Sequence, residues 1–297
     1  MSHPPTQTEI RAILAAAGLR PQKRHGQHFL VDGNLMRLLV EEADLGPADT
    51  VLEVGAGLGN LTQLLVERAG GVVAVEIDAA VADLARRRLA DAANLDLLVT
   101  DVLADKHHIA PAVLDAVANR RQTCGGPWKL VANLPYAAAT PLLAELVQAE
   151  EPPERLIFTV QEEVAARLIA QPATPAYGPL GILVQALANV KILRRLGPGV
   201  FWPPPRVASC MVRIQPSAEH RRRIADLPTF HRTIEGLFGH RRKRAARSLA
   251  LADPAGDSPE VWAARLKAVG LDGDARGETY SVDQIIRLAN RLTGETA

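Results

Sequence analysis

The sequence predicts a doubly wound α/β domain with a mostly parallel sheet, followed by a small all-α domain. Between Thr50 and Val160, short and nearly continuous apolar runs alternate with segments of helical periodicity, which is typical of parallel strands covered by helices on both faces. Beyond Pro216 no strand pattern remains. We therefore expect a first domain at residues 25–216 and a helical domain at residues 217–297, preceded by an N-terminal arm at residues 1–24.

Each strand of the first domain is predicted from a run of Val, Leu, Ile and Ala, and each helix from apolar residues three and four positions apart. The predicted strands lie at 51–54, 72–77, 95–100, 129–134 and 156–160. The predicted helices lie at 60–69, 79–90, 141–149, 162–169 and 179–188. Their alternation supplies the crossover connections that parallel strands require.

An antiparallel hairpin is expected to close one edge of the sheet. Strand segments at 191–196 and 207–214 flank a break whose three prolines, 203–205, favour a rigid turn. One face of the second segment carries small and apolar residues, as in a half-exposed strand. These residues are Ala208, Cys210, Val212 and Ile214.

The helical domain is predicted from periodicity and from capping residues. Its helices are expected at 229–251, 259–269 and 282–292. Ser258-Pro259 provides an N-cap with proline in the first turn, and residues 281–284 form a capping box.

Composition excludes several classes of protein. The chain is 47% hydrophobic and 23% charged, which excludes disorder, collagen and coiled coils. Two cysteines form no disulfide framework, so we expect a reducing, cytoplasmic setting. Glu9 and Arg11 interrupt the N-terminal apolar run, and prolines and glycines interrupt the uncharged stretch 168–190, so neither a signal peptide nor a membrane span is expected. The histidines lack metal-ligand spacing, and no metal is expected.

Basic residues are concentrated in one block. Of the 34 lysines and arginines, 14 lie between positions 191 and 250, where the chain has three acidic residues. The block predicts either a polyanionic partner or a solvated basic surface, and charge alone leaves both open.

A glycine-rich turn follows the first strand. Gly55, Gly57 and Gly59 lie between Glu53 and a helix that begins near Asn60, and glycine at such a turn permits positive φ and close approach of a ligand to the backbone. A dinucleotide fingerprint would need glycine at position 60. The turn therefore favours a cofactor without phosphates.

Polar side chains end the next three strands. Glu76 can accept hydrogen bonds from both ribose hydroxyls of an adenosine, which NAD and S-adenosylmethionine share, and Asp101 can accept one from the adenine amine. The side-chain oxygen of Asn133 and the carbonyl of Leu134 can accept from an aromatic amine and turn its lone pair toward a methyl group. Tyr136 can stack on an extruded base.

Together these motifs resemble the ribosomal RNA adenine dimethylase family, and in particular its bacterial small-subunit branch. The resemblance runs from about Arg20 to the last helix. It rests on HGQHFL (25–30), NLPYAAATP (133–141), FTVQEEVAARL (158–168), AYGPLGILVQ (176–185), FWPPPRV (201–207) and HRRKRAARSL (240–249). It implies a class I methyltransferase domain, Rossmann-like with a seven-stranded sheet, and S-adenosyl-L-methionine as cofactor.

The resemblance also implies roles for individual residues. Cofactor contacts are expected at Gln27, His28, Leu30, Gly55, Glu76, Asp101 and Asn133. Contacts to the target adenine are expected at Asn133, Leu134, Pro135 and Tyr136, with Phe201 as a second stacking ring. Phosphate contacts are expected at Arg206 and, on the basic helix, at Arg241, Arg242, Lys243, Arg244 and Arg247. The chain departs from the family pattern at His25, His28, Ala137–Ala139, Glu162 and Ala208.

The implied reaction dimethylates N6 of two adjacent adenines near the 3′ end of small-subunit rRNA, by in-line transfer without a strong general base. The implied partner is rRNA within a pre-30S particle, and a monomer with a role in ribosome biogenesis and no membrane association is expected. The alternatives left open are a large-subunit rRNA methylase of the antibiotic-resistance type and a non-catalytic RNA-binding assembly factor. A nicotinamide oxidoreductase is disfavoured by Asn60.

Overall fold

A computed structural model describes residues 5–22 and 27–294 of the chain. His25, one of the departures from the family pattern, lies outside the described residues. The strands are β1 (Phe29–Leu30), β2 (Thr50–Val54), β3 (Gly71–Glu76), β4 (Leu95–Val99), β5 (Trp128–Asn133), β6 (Arg155–Gln161), β7 (Ala188–Leu196), β8 (Phe201–Trp202) and β9 (Ser209–Pro216). The helices are α1 (Gln7–Ala16), α2 (Gly33–Ala43), α3 (Asn60–Val66), α4 (Ala79–Arg88), α5 (Pro111–Cys124), α6 (Tyr136–Gln148), α7 (Glu162–Leu168), α8 (Pro179–Leu187), α9 (Ala218–Arg222), α10 (Leu227–Gly239), α11 (Ala245–Ala252), α12 (Pro259–Ala268) and α13 (Val282–Thr293).

The chain forms two compact units. The first contains the residues up to 165 together with residues 191–215. The second contains residues 166–190 and the residues from 216 onward. Residues 166–190, which the sequence assigns to the first domain, thus group with the C-terminal helices, and the predicted domain boundaries stay a prediction.

A seven-stranded sheet lies at the centre of the first unit, in the order β4-β3-β2-β5-β6-β9-β7. The strands from β2 to β6 pair in parallel, and β9 runs antiparallel to β6. Every residue of β2 and β3 is buried, which explains their continuous apolar sequence. The doubly wound α/β class and the pair of added strands at one edge are confirmed. A separate two-stranded sheet pairs β1 with β8.

The expected exposed face of β9 is not present. Met211, on the face opposite Cys210, is fully buried in the main core, and Arg213 on that same face forms an ion pair with Glu42 of α2, with 3.0 Å between Nη1 and Oε2. The prediction was wrong because a helix distant in sequence covers this face, and an arginine in a salt bridge resembles a solvent-facing residue in the sequence.

Four helices of the first unit differ from the expectations. Helices α1, α2 and α5 have no counterpart among the predicted elements, and α6 begins at Tyr136 rather than at Pro141. The predicted start of α6 was too late because proline is preferred in the first turn of a helix. In the structure Pro141 lies inside α6. The earlier start places the first turn of α6 directly after β5.

In the second unit α10 packs against α11 and α13, and α8 packs against α10 and α13. The predicted helix 229–251 is two helices, α10 and α11, joined by residues 240–244. Gly236 allows the two to approach closely, since a Cβ at this position would lie 3.0 Å from Cδ2 of Leu249, and the Ser248 hydroxyl donates to the Gly236 carbonyl at 2.6 Å. None of the described helices has both the length and the apolar character that a membrane crossing needs.

Candidate active site

A cavity of about 550 Å³ lies in the first unit at the carboxyl ends of the parallel strands. Ligands bind at this edge of doubly wound sheets. Its lining includes all the residues predicted to contact the cofactor and all those of the NLPY segment: Gln27, His28, Leu30, Gly55, Glu76, Asp101, Asn133, Leu134, Pro135 and Tyr136. The structure therefore brings these ten residues together around one cavity.

The glycine turn between β2 and α3 forms one wall of this cavity. Gly55 and Gly57 have φ of +80° and +57°, which side-chain-bearing residues rarely adopt. A Cβ at Gly55 would come within 3.1 Å of the Pro135 ring, and one at Gly57 within 3.2 Å of the Phe29 ring. Glycine at these positions thus lets two other segments of the cavity approach the turn.

Glu76, the last residue of β3, connects the end of this strand to the glycine turn by a hydrogen bond. One carboxylate oxygen accepts a hydrogen bond from the backbone N–H of Gly57 at 2.8 Å, and the other accepts one from that of Asp78 at 3.0 Å. Burial raises the pKa of Glu76 above its ordinary value, and the two backbone donors oppose this rise. The carboxylate is thereby held in one orientation at the cavity wall. Asp101, by contrast, is exposed, and its Oδ1 accepts from the N–H of Leu103 at 3.0 Å.

Glu53 is a cavity residue that the predicted set of contacts omitted. Its side chain is 1% exposed, and its Oε2 has no hydrogen-bond partner among the described residues. Burial raises its pKa to about 8, and the negative charge of Glu76 adds to the effect. The neighbouring Thr62 hydroxyl opposes this rise. A buried carboxyl group with one unpaired oxygen in a cavity wall is suited to receive a cationic group of a ligand. Its position two residues before Gly55 was the signal in the sequence.

Asn133 is fixed by hydrogen bonds on both atoms of its amide. Its Nδ2 donates to the His28 carbonyl at 2.8 Å, and its Oδ1 accepts from the hydroxyl of Thr159, its neighbour in the register of β5 and β6. The Leu134 N–H donates to the Thr159 carbonyl at 3.2 Å. Thr159 thus orients both residues that were predicted to accept hydrogen bonds from the substrate amine, and its role depends on strand register.

Tyr136 and His28 form an aromatic pair at the cavity mouth. Their ring centroids lie 5.5 Å apart, and the rings are inclined by 34°. The Tyr136 hydroxyl lies 3.2 Å from the hydroxyl of Ser209, and His28 Nδ1 lies 2.7 Å from the Pro203 carbonyl, to which it donates. Burial raises the pKa of the Tyr136 phenol, which favours its neutral form. Histidine at position 28 therefore links the mouth of the cavity to the proline turn.

The other departures from the family pattern have defined positions. Ala137 lines the cavity, and Ala139 is buried in α6. Glu162 forms an ion pair with Arg195, with 2.7 Å between the charged atoms, and its N–H donates to the Ala208 carbonyl at 3.0 Å. Among these positions, only Ala137 and Ala138 line the cavity.

Phe201 does not reach the cavity. Its side chain is 3% exposed and packs in the main core with Leu30 and Met211. Because neighbouring residues of a strand point to opposite faces, the next ring, Trp202, is the one that lines an open cavity. The structure therefore does not support Phe201 as a stacking ring.

The residues predicted to contact RNA phosphates fall into two groups. Arg206 is exposed in the first unit. The other five belong to the second unit and lie in the 240–244 turn and at the start of α11, rather than along one helix. Arg241 donates to Glu278 at 2.6 Å, and Arg244 donates to Asp274 at 2.6 Å. Arg242, Lys243 and Arg247 are exposed.

No group of three or more His, Cys, Asp or Glu side chains within residues 5–22 and 27–294 is arranged to hold a metal ion.

The sequence model of the ribosomal RNA adenine dimethylase family matches residues 18–293. The chain belongs to this family. A protein named ribosomal RNA small subunit methyltransferase A from Pelotomaculum thermopropionicum is 37% identical over 282 residues, covering 95% of this chain and 94% of that protein. One of the same name from Nocardia farcinica is 39% identical over 295 residues, covering 95% and 93%.

Solved structures agree with the fold of this chain. A dimethyladenosine transferase from Plasmodium falciparum has a TM-score of 0.72 and 18% identity, covering 91% of this chain and 98% of that chain. The 23S rRNA methyltransferase ErmE has a TM-score of 0.60 and 24% identity, covering 89% and 99%. At these identities the structures support the fold alone, and they agree with a class I methyltransferase architecture.

Proposed function

We propose that this rRNA methyltransferase transfers methyl groups from S-adenosyl-L-methionine to the N6 amines of two adjacent adenines near the 3′ end of small-subunit rRNA, two to each. The relatives named above and the family support the substrate class. The observation that carries the proposal is the cavity itself, where the glycine turn, three acidic side chains and the NLPY segment face one space. Such a space accommodates a cationic adenosine-containing donor next to a purine amine.

The residues present fit this donor. The cavity volume of about 550 Å³ is within the range of small-molecule sites. The buried Oε2 of Glu53 lacks a partner, and the lining contains Glu53, Glu76 and Asp101 but no lysine or arginine among the described residues. When bound, the donor supplies an electrophilic methyl group on a positively charged sulfur. In this proposal Glu76 accepts hydrogen bonds from the ribose hydroxyls, and Asp101 accepts one from the adenine amine.

In this proposal the enzyme catalyses the reaction mainly by positioning the target amine against the methyl donor. Asn133 Oδ1 and the Leu134 carbonyl accept the two N–H groups of the target amine, so that its lone pair points at the incoming methyl group. Tyr136 stacks on the extruded base. The bond from nitrogen to the methyl carbon forms as the bond from sulfur breaks, and the nitrogen then loses its proton to water. Asn133 cannot act as a base, because an amide does not accept a proton at neutral pH.

The test is single-turnover methylation of undermethylated 30S particles by Asn133→Ala. We expect the rate to fall by roughly 100-fold or more, as when one positioned polar group is removed from an active site. Binding to the particles should stay within about twofold of the unmodified enzyme. The control is Asn119→Ala on the exposed side of α5, which should leave the rate unchanged. A normal rate for Asn133→Ala, or loss of binding together with rate, would contradict the assigned role.

The substrate is tested by mass spectrometry of the RNA products. We expect two adjacent dimethylated adenines in small-subunit rRNA and no modification of large-subunit rRNA. Modification of 23S rRNA would instead favour the resistance-type alternative, and unmodified RNA in a stable complex would favour a non-catalytic assembly factor. We also propose that the enzyme acts as a cytoplasmic monomer on pre-30S particles, which sedimentation with the isolated particles tests.

A further inference from the structure

A second and larger cavity of about 1030 Å³ lies in the first unit. It shares Gln27, His28 and Tyr136 with the first cavity. The two cavities therefore meet at the aromatic pair on which the target base is proposed to stack. A nucleotide joined to that base by one phosphodiester bond would leave the first cavity at this point.

The two cavities have opposite charge. The described lining of the second contains Arg11, Arg20 and Arg206 and no aspartate or glutamate, whereas that of the first contains three acidic side chains and no lysine or arginine. A cationic donor is thus favoured on one side of the aromatic pair and a polyanion on the other. The second cavity matches the chemistry of a phosphodiester backbone.

Arg11 is held in place by its surroundings. Its helix, α1, begins with a capping box at Thr6 and Glu9. The buried Ile10 and Leu14 of this helix pack in a cluster with Phe29, Leu58 and Val81.

The guanidinium of Arg11 lies over the indole of Trp202, 5.3 Å from its centroid. The Trp202 indole is stacked with Phe29, with 6.4 Å between centroids. A guanidinium resting on an aromatic face keeps its N–H edge available for a phosphate. Trp202 therefore serves as a support for Arg11.

We propose that the second cavity is a subsite for the RNA nucleotide next to the target adenine, and that Arg11 and Arg206 bind its phosphodiester phosphate. The proposal rests on the proposed function of the first cavity. Because two adjacent adenines are modified, one adenine occupies the second cavity while the other is in the first. Helix α1, which the sequence assigned to an N-terminal arm, then belongs to the substrate-binding surface.

Binding of short RNA probes tests the subsite without catalysis. Calorimetry on the full chain compares adenylyl-(3′→5′)-adenosine, which has the phosphodiester, with adenosine, which lacks it. We expect the dinucleotide to bind about tenfold more tightly, and Arg11→Gln with Arg206→Gln to abolish most of this difference, since hydrogen bonds to charged groups contribute effects of this size. The matched control is Arg87→Gln, an exposed arginine of α4 outside both cavities.

Methylation of 30S particles gives a second readout. The double variant should show a raised KM at unchanged donor affinity, a smaller salt dependence of RNA binding, and more product with only one of the two adenines modified. Arg206→Gln alone, which leaves α1 intact, should show the same changes at reduced size.

Equal binding of dinucleotide and adenosine by the unmodified enzyme, or a double variant that behaves like Arg87→Gln, would overturn the subsite. If the dinucleotide preference is present but no methylation occurs, the proposed function fails and the subsite stands.

Discussion

The ligand-free first unit is expected to lose stability as the pH rises from 5 to 8. Replacement of Glu53 by glutamine is expected to remove most of this loss. The Glu53 carboxyl is 1% exposed and has no partner on Oε2 among the described residues, so its charged form is strongly disfavoured in the folded state. Glutamine has nearly the same shape and cannot ionise. The variant therefore isolates the contribution of this one titration.

The sign and size of the expected change in unfolding free energy follow from the pKa of Glu53. Burial raises the pKa of Glu53 from 4.5 to about 8, so the folded state holds the proton more tightly than the unfolded chain does. The free energy of unfolding therefore falls as pH rises from about 4.5 to about 8 and changes little above that. The two pKa values differ by roughly 3.5, which at about 1.4 kcal/mol per pH unit corresponds to a loss of about 5 kcal/mol, most of it between pH 5 and 8.

The assay is urea unfolding at pH 5, 6, 7 and 8, followed by tryptophan fluorescence in a Trp262→Phe background, so that Trp128 and Trp202 report on the first unit alone. The unfolding free energy of Glu53→Gln minus that of the parent should grow by about 4 kcal/mol across this range. Glu67→Gln, at an exposed glutamate beside α3, serves as the control and should follow the parent. A difference that stays constant within about 1 kcal/mol would refute the reasoning.

Three further substitutions test other contacts by urea unfolding. Lys129→Met leaves the buried carboxylate of Asp49, 2.8 Å from the ammonium, without its partner, and should cost about 3–5 kcal/mol; a loss below about 1 kcal/mol would contradict this. Gly270→Ala should lower the unfolding free energy by roughly 1–2 kcal/mol, and Gly55→Ala should lower it by more. Both glycines have positive φ, but only a Cβ at Gly55 would meet a neighbouring ring, and equal losses would contradict this reasoning. Ser281→Ala removes the capping hydroxyl of α13 and should cost about 1 kcal/mol, and no loss would contradict the capping role.

Strands and capped helices of this chain were predictable because their signals are local. The parallel strands are buried on both faces, and their continuous apolar runs record this directly. Helix α5 was missed because Val113 and Val117 are its only two buried residues among fourteen, so it has almost no apolar stripe. The covered face of β9 was missed because Arg213 and Glu42 are 171 positions apart. Sequence periodicity indicates whether a side chain is buried, but it does not indicate which distant residue that side chain contacts.

The same distinction applies to the cavity. Residues at the ends of parallel strands were predictable as a group, because the topology brings the carboxyl ends of neighbouring strands to one edge. Thr159 was not predictable, since its contact with Asn133 depends on the register of β5 and β6. Burial of Phe201 in the core and the position of Trp202 at the second cavity depend on which face of the short strand β8 turns to the core. A one-residue difference in such a strand reverses every side chain.

The contacts of Asn133 explain why an amide is suited to this position. Its Nδ2 must donate to the His28 carbonyl, which fixes the segment that joins the two cavities, and its Oδ1 accepts from Thr159 while keeping a second lone pair for the substrate amine. Aspartate would present a negatively charged oxygen to the His28 carbonyl, and alanine would leave that carbonyl and the Thr159 hydroxyl without this partner. The residue that we propose to position the target amine is therefore also the residue that connects β5 to the cavity mouth.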